Sequence, residues 1–219
     1  MTINIPATGK PAKLGYSPDE IRAQVAKLHT RYGAFVDQAC TLNNVPTYLL
    51  EAIVLTENFD LKPDSVNRKP GRPVHKEATG LGQHMMFSAT DIISRTITKK
   101  LMNPAKRAVL VKQLGETRMA FIEKNKGTTQ YVVTQRDLID PEFNLMLTGL
   151  FLSQLIAEEN ESGTLRLDKV MLRYNQGYYF KMPRLNQTTD LLLAGVGGEG
   201  HSYILKNCGK GGFLDLLTS

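Results

Sequence analysis

Apolar residues recur at three- and four-residue spacing through most of the chain, the pattern of helices that bury one face. The first stretch opens at Ser17-Pro18-Asp19-Glu20, with Ser as N-cap, Pro at the first helical position and Glu three residues after the cap. It carries Ile21, Val25, Leu28, Tyr32, Phe35 and Val36 on one stripe to about Leu42, with Gly33 as a point where it can bend. After the Asn43-Asn44 turn, Tyr48 to Phe59 reads as a second helix. Asp60 to Thr79 is polar, is broken by Pro63, Pro70, Gly71 and Pro73, and predicts a loop. A compact, glycine-punctuated stretch, Ala78 to Met86, follows, and Ser88-Ala89-Thr90-Asp91 is read as the cap of a helix bearing Ile92, Ile93 and Ile97. Asn103-Pro104 opens a basic helix with Val109, Leu110 and Leu114, closed by Gly115. Residues 116–139 are helical at first, and Tyr131-Val132-Val133 is a short strand candidate. Asp140-Pro141-Glu142 starts the most apolar helix, Phe143 to Glu158, whose core face is Leu147, Leu150, Phe151 and Leu155 with Met146 beside it. Leu167 to Tyr174 is a shorter helix with Val170, Met171 and Tyr174 on one side. The glycine-rich tail holds Gly195, Gly197 and Gly200 without a strand–helix context, and is read as a flexible loop, not a phosphate cradle.

One position breaks this patterning. Leu50, Ile53, Val54 and Glu57 are spaced i, i+3, i+4, i+7, so a carboxylate stands where a fourth core residue is expected. Glu57 also falls in the last turn of its helix. Partial burial and the negative end of the helix dipole both disfavour its charged form. Both raise its pKa, as a general acid working near neutral pH requires. The bland alternative is a helix-end Glu that curls out to solvent.

Composition narrows the class without naming a chemistry. At 219 residues, 42% apolar and 22% charged, the chain is sized and composed for one globular domain with appendages. A net charge of +6 favours an anionic partner: nucleic acid, an acidic membrane surface or an anionic wall polymer. The excess is concentrated between Arg95 and Lys126, which hold nine Lys or Arg against two acids, Glu116 and Glu123; such a run is more often a solvated helix face. Cys40 and Cys208 match no metal spacing, and Cys40 reads as a buried small hydrophobe. No metal or organic cofactor is expected. Met1 to Lys13 has no apolar core of signal-peptide length, and no window reaches the length of a membrane span.

Four segments in order resemble the lytic transglycosylase family. Glu57-Asn58-Phe59 at a helix end is similar to the family's Glu-Ser followed by x-Phe or x-Trp. Ala78-Thr79-Gly80-Leu81-Gly82-Gln83-His84-Met85 is similar to Ala-x-Gly-Leu-Met-Gln-x-Met, Tyr174-Asn175-Gln176-Gly177 to Tyr-Asn-Ala-Gly, and Asp140-Pro141-Glu142-Phe143-Asn144-Leu145 to Asp-Pro-x-x-Asn-Ile. The chain departs from the family at Asn58 and Gly82, and it is longer near residues 68–75 and 95–135, which read as insertions. The pattern itself reads as mainly α, six to eight helices around one core, with an extended arm at 1–16 and a glycine-rich segment at 191–219; the resemblance, which covers roughly residues 45–180, implies that the domain over 17–190 is goose-lysozyme-like. It implies that Glu57 cleaves the bond between N-acetylmuramic acid and N-acetylglucosamine in peptidoglycan, acting as acid and then as base. Gln83, Met85, Tyr174 and Asn175 are the implied substrate-binding residues, with Tyr174 reaching Glu57 or the transition state through its hydroxyl. The lack of a signal suggests a bacteriophage enzyme, virion-carried or released as an endolysin, with virion proteins as further partners and nucleic acid not expected as one. Two alternatives stay open. A goose-type muramidase would need a second carboxylate, for which Asp60, Asp64, Glu77 and Asp91 are candidates. An inactive structural or nucleic-acid-binding relative would use the basic run.

Overall fold

Helix α1, Pro18–Asn43, begins as its sequence dictates: the Ser17 side chain accepts from the Glu20 amide and the Glu20 carboxylate accepts from the Ser17 amide. It runs unbroken past Gly33 and ends on Asn44, whose left-handed backbone turns the chain into α2, Thr47–Glu57. These are features of a computed structural model that describes residues 2–4, 11–127, 130–161, 164–182 and 198–218. The architecture is mainly helical. Its centre is α6, Pro141–Glu159, opened by Asp140 as N-cap and buried nearly all round, with Leu147, Leu150, Phe151 and Leu155 among its core residues. A helix apolar on every side belongs in the middle of a fold, and α6 packs against α1, against α3 (Met86–Thr98) and against α7 (Leu167–Gln176).

The connection between α2 and α3 is more ordered than its polar sequence predicts. It holds an antiparallel pair, β2 (Val66–Asn67) with β3 (Ala78–Thr79), and a 3-10 turn at Val74–Lys76 between them. Asn58 secures its entry: its side-chain amide donates to the carbonyls of Lys62 (2.6 Å) and Gly80 (3.1 Å), and its oxygen accepts from the Lys62 amide. The cap of α3 also differs from expectation. The N-cap is Met85, and Ser88, already inside the first turn, accepts from the Met85 amide through its hydroxyl. An apolar residue can hold that position because Ser88 satisfies the exposed donor from within.

Helix α4, Pro104–Lys124, is capped by Asn103 and consists of two helical segments: the non-helical backbone of Gly115, at φ 77°, closes the first as its sequence predicts, and the chain kinks there before the second. Tyr131-Val132-Val133 forms no strand: Val133 is buried and its amide donates to the Thr90 hydroxyl, so its hydrogen bond goes to a side chain and not to a sheet neighbour. A short α5, Gln135–Leu138, follows. Beyond α6, β4 (Asn160–Glu161) and β5 (Thr164–Arg166) pair antiparallel, and β1 (Thr2–Asn4) adds to β5 in parallel, tying the N-terminal arm to the body.

The largest correction concerns the tail. Residues 191–197, including Gly195 and Gly197, lie outside the described residues. From Gly198 the chain is not a loop but helix α8, Gly198–Cys208, followed by α9, Phe213–Thr218. Tyr203, Ile204, Asn207 and Cys208 are buried on α8, which packs against α7 and α2. Cys40 and Cys208 are both buried. Among the described residues, no helix is long and apolar enough to cross a membrane.

Candidate active site

Glu57 closes α2 and stands at the wall of a cleft of about 600 Å³. Burial pushes its carboxyl up to about 7. Tyr203 works against this by donating its hydroxyl to Glu57 Oε1 at 2.8 Å, which favours the charged form, as does the positive Lys206. The negative charge of Glu199 pushes the same way as burial. All three modulating residues belong to α8, so the helix that the sequence left as a glycine-rich tail sets the electrostatics of the acid. Asn207 fixes it there: its amide donates to the Tyr203 carbonyl, and its oxygen lies 3.0 Å from the Thr56 hydroxyl, next to Glu57. The spacing of Tyr203-Ile204 and Asn207-Cys208 is the signal that could have revealed the helix, since these pairs repeat at i, i+1, i+4, i+5.

The sequence-derived residues Gln83, Met85, Tyr174 and Asn175 line the same cleft as Glu57. Their geometry differs from the expectation in two cases. The Tyr174 hydroxyl does not reach Glu57: it donates to the Gly82 carbonyl at 3.0 Å and lies 3.4 Å from His84 Nε2. Tyr203 takes the place at Glu57. The side chain of Gln83 turns back on its own loop, donating to the Gly80 carbonyl at 2.7 Å, while its backbone adopts φ 50°. Met85 is partly exposed at the rim, and Asn175 follows Tyr174 on α7.

The turn 79–84 that carries Gln83 is held from below by α6. Asn144 accepts from the Gly82 amide at 2.7 Å and donates to the carbonyls of Thr79 and Leu138. There is no room for a side chain at Gly80, where a Cβ would sit 2.1 Å from Asn144 Nδ2, nor at Gly82, where it would sit 2.2 Å from Thr148 Oγ1. Beneath Gly82, His84 is buried against the Thr148 hydroxyl (3.0 Å), and burial drives its ring down to about 3, so it is neutral. The glycine at position 82 is what leaves space for this His84–Tyr174–Thr148 group.

The carboxylate candidates separate sharply. Asp60 pairs with Lys62, Glu77 is buried beside Arg68 and Gln135, and Asp64 is exposed; none of the three lines the cleft. Asp91 does line it, held by Arg95 Nε at 2.9 Å. Glu199, missed in the sequence, also lines it. Arg95 lies 3.7 Å from the ring centre of Tyr178, another cleft residue.

The basic run is largely neutralised within the fold. Arg95, Lys99, Arg107, Lys112 and Arg118 each meet a carboxylate, on Asp91, Glu158, Glu116 with Glu123, Glu142 and Asp137 respectively. Lys106 turns inward and donates to the Leu101 carbonyl. Among the described residues, no group of His, Cys, Asp and Glu is placed to hold a metal ion. Compared with protein-family models, with curated proteins and with solved structures, the chain matches none.

Proposed function

We propose that the protein is a peptidoglycan-cleaving lytic transglycosylase in which Glu57 is the single acid and base. The observation that carries this reading is a carboxyl poised at about 7, held by a tyrosine hydroxyl in a cleft of about 600 Å³, a volume suited to small-molecule or sugar binding. Glu57 protonates the glycosidic oxygen between N-acetylmuramic acid and N-acetylglucosamine as that bond breaks. The resulting carboxylate takes the proton from the muramyl C6 hydroxyl, whose oxygen closes on C1 to form a 1,6-anhydro ring. The nucleophile belongs to the substrate, so a high effective molarity replaces an activated water. A pKa near neutrality suits both halves of the cycle, because neither the acid nor the base form is scarce. The fold suited to this reading is lysozyme-like, of the goose type. The setting suited to it is a bacteriophage enzyme that opens the cell wall, carried in the virion or released as an endolysin.

A second reading has its own support. Glu199 and Asp91 share the cleft with Glu57, and a second carboxylate that activates water would make the enzyme a hydrolase. Of the two, Glu199 is exposed, whereas Asp91 is held by Arg95. Digestion of purified peptidoglycan by wild type and Glu57→Gln, with muropeptides read by mass spectrometry, decides between them. The transglycosylase reading expects anhydro-muramyl ends from the wild type and none from the variant. Reducing ends that vanish in both Glu57→Gln and Glu199→Gln would establish hydrolysis. Absence of any cleavage by the folded wild type would refute both.

A further inference from the structure

At Phe87 the wall of the cleft continues into an aromatic shelf that the acid chemistry does not use. Phe87, in the first turn of α3, lines the cleft and is 43% exposed. Beside it stands Tyr131, 47% exposed, with ring centres 6.2 Å apart and the rings nearly perpendicular. His75, on the 3-10 turn of the 66–79 hairpin, stacks on Tyr131 at 4.7 Å and 19°. Large apolar rings exposed together at the mouth of a cleft mark a binding surface more often than chance exposure. The same hairpin brings Lys69 and Arg72 to the cleft wall. The shelf is therefore apolar on its rings and rich in hydrogen-bond donors at its edge.

A pyranose matches that surface. Its axial C–H groups form an apolar face that packs on an aromatic ring, and its equatorial hydroxyl, amide and carboxyl groups face outward to donors. His75, Lys69, Arg72 and Tyr131 lie in the two stretches, 68–75 and 95–135, that read as insertions, so all of the shelf except Phe87 comes from them. We propose that Phe87, Tyr131 and His75, with Lys69 and Arg72 at their edge, form an outer subsite that binds a further sugar of the glycan strand. This rests on the glycan reading of the Glu57 cleft. The continuity through Phe87 is what assigns the shelf to the same strand and not to a separate partner. It makes the enzyme one that prefers long strands to short fragments.

The test compares kcat/KM for long, purified glycan strands with that for a tetrasaccharide fragment, in wild type, Tyr131→Ala, Tyr131→Phe and His75→Ala. Tyr131→Ala should lower the ratio of long-strand to tetrasaccharide kcat/KM about fivefold to tenfold, through KM, the loss expected of one aromatic stack. Tyr131→Phe keeps the ring and should restore the ratio; His75→Ala should lower it less. An unchanged ratio in Tyr131→Ala overturns the subsite, and so does an equal loss on both substrates, which marks a structural effect. If sedimentation shows that Tyr131→Ala abolishes a dimer, the shelf belongs to self-association and the proposal falls. A wild type that cleaves neither substrate refutes the glycan reading itself, a result distinct from every one of these.

Discussion

Tyr203 donates to Glu57 Oε1 at 2.8 Å, and a donor to a carboxylate stabilises its charged form. Burial and the Glu199 charge oppose it, and the balance stands at about 7. The two α8 residues therefore push the acid in opposite directions, which gives a paired prediction. Tyr203→Phe removes the donor, so Glu57 stays protonated to higher pH and the alkaline limb of the pH–rate profile moves up. It should also lower kcat about tenfold, because the carboxyl loses its fixed orientation. Glu199→Gln removes a negative charge, so the alkaline limb moves down. Profiles of kcat/KM against pH for the two variants check both signs; limbs that move together, or not at all, would show that α8 does not tune the acid. In Glu199→Gln a shifted profile with activity retained supports transglycosylation, and outright loss supports the hydrolase.

Among the elements, the 79–84 turn and its α6 support depend on missing side chains. Gly80 adopts φ 87° and packs against Asn144 and the Leu138 carbonyl, so Gly80→Ala forces both a strained backbone and a clash. We expect a loss of about 3 kcal/mol in urea unfolding, with activity falling because Gln83 and Met85 ride on the same turn. A loss below 1 kcal/mol would mean that the turn can move away from α6. The contrast between elements also shows what was legible. Helices α1 and α6 declare themselves because cap, proline and apolar stripe coincide in a few adjacent residues. Met85 as an N-cap does not, since its role depends on Ser88 reaching back across the first turn. The turn at Val133 is decided by Thr90, forty-three positions earlier in the chain. Helix α8 escaped notice because Gly198 and Gly200 weaken its local propensity, and its stability comes from burial against α2 and α7. The acid itself was visible as a polar residue in an apolar stripe; its partner Tyr203, 146 positions away, was not.

For the molecule as a whole, two buried titratable groups act in opposite directions on stability. Glu57 titrates at about 7 when folded and near 4.5 when unfolded, so its contribution is complete below pH 4.5 and is lost as pH rises through 7. His84 titrates at about 3 when folded and near 6.5 when unfolded, so its contribution is complete above pH 6.5 and is lost as pH falls towards 3. Between about 4.5 and 6.5 the unfolded chain holds a proton on His84 and the folded protein holds one on Glu57. The two slopes cancel, each being about 1.4 kcal/mol per pH unit, and this pair leaves wild-type stability flat there. Glu57→Gln removes one side of the balance. The stability of that variant should then rise by about 3 kcal/mol relative to wild type between pH 4.5 and 6.5, because only the His84 slope remains. Denaturant titrations of both proteins at half-unit intervals test this directly. Parallel curves would show that Glu57 titrates in the folded protein as it does in the unfolded chain, which would remove the raised pKa on which the proposed chemistry depends. A difference that opens across this window would tie the acid's burial to a cost in stability above neutrality, met by the packing of α8 over the cleft.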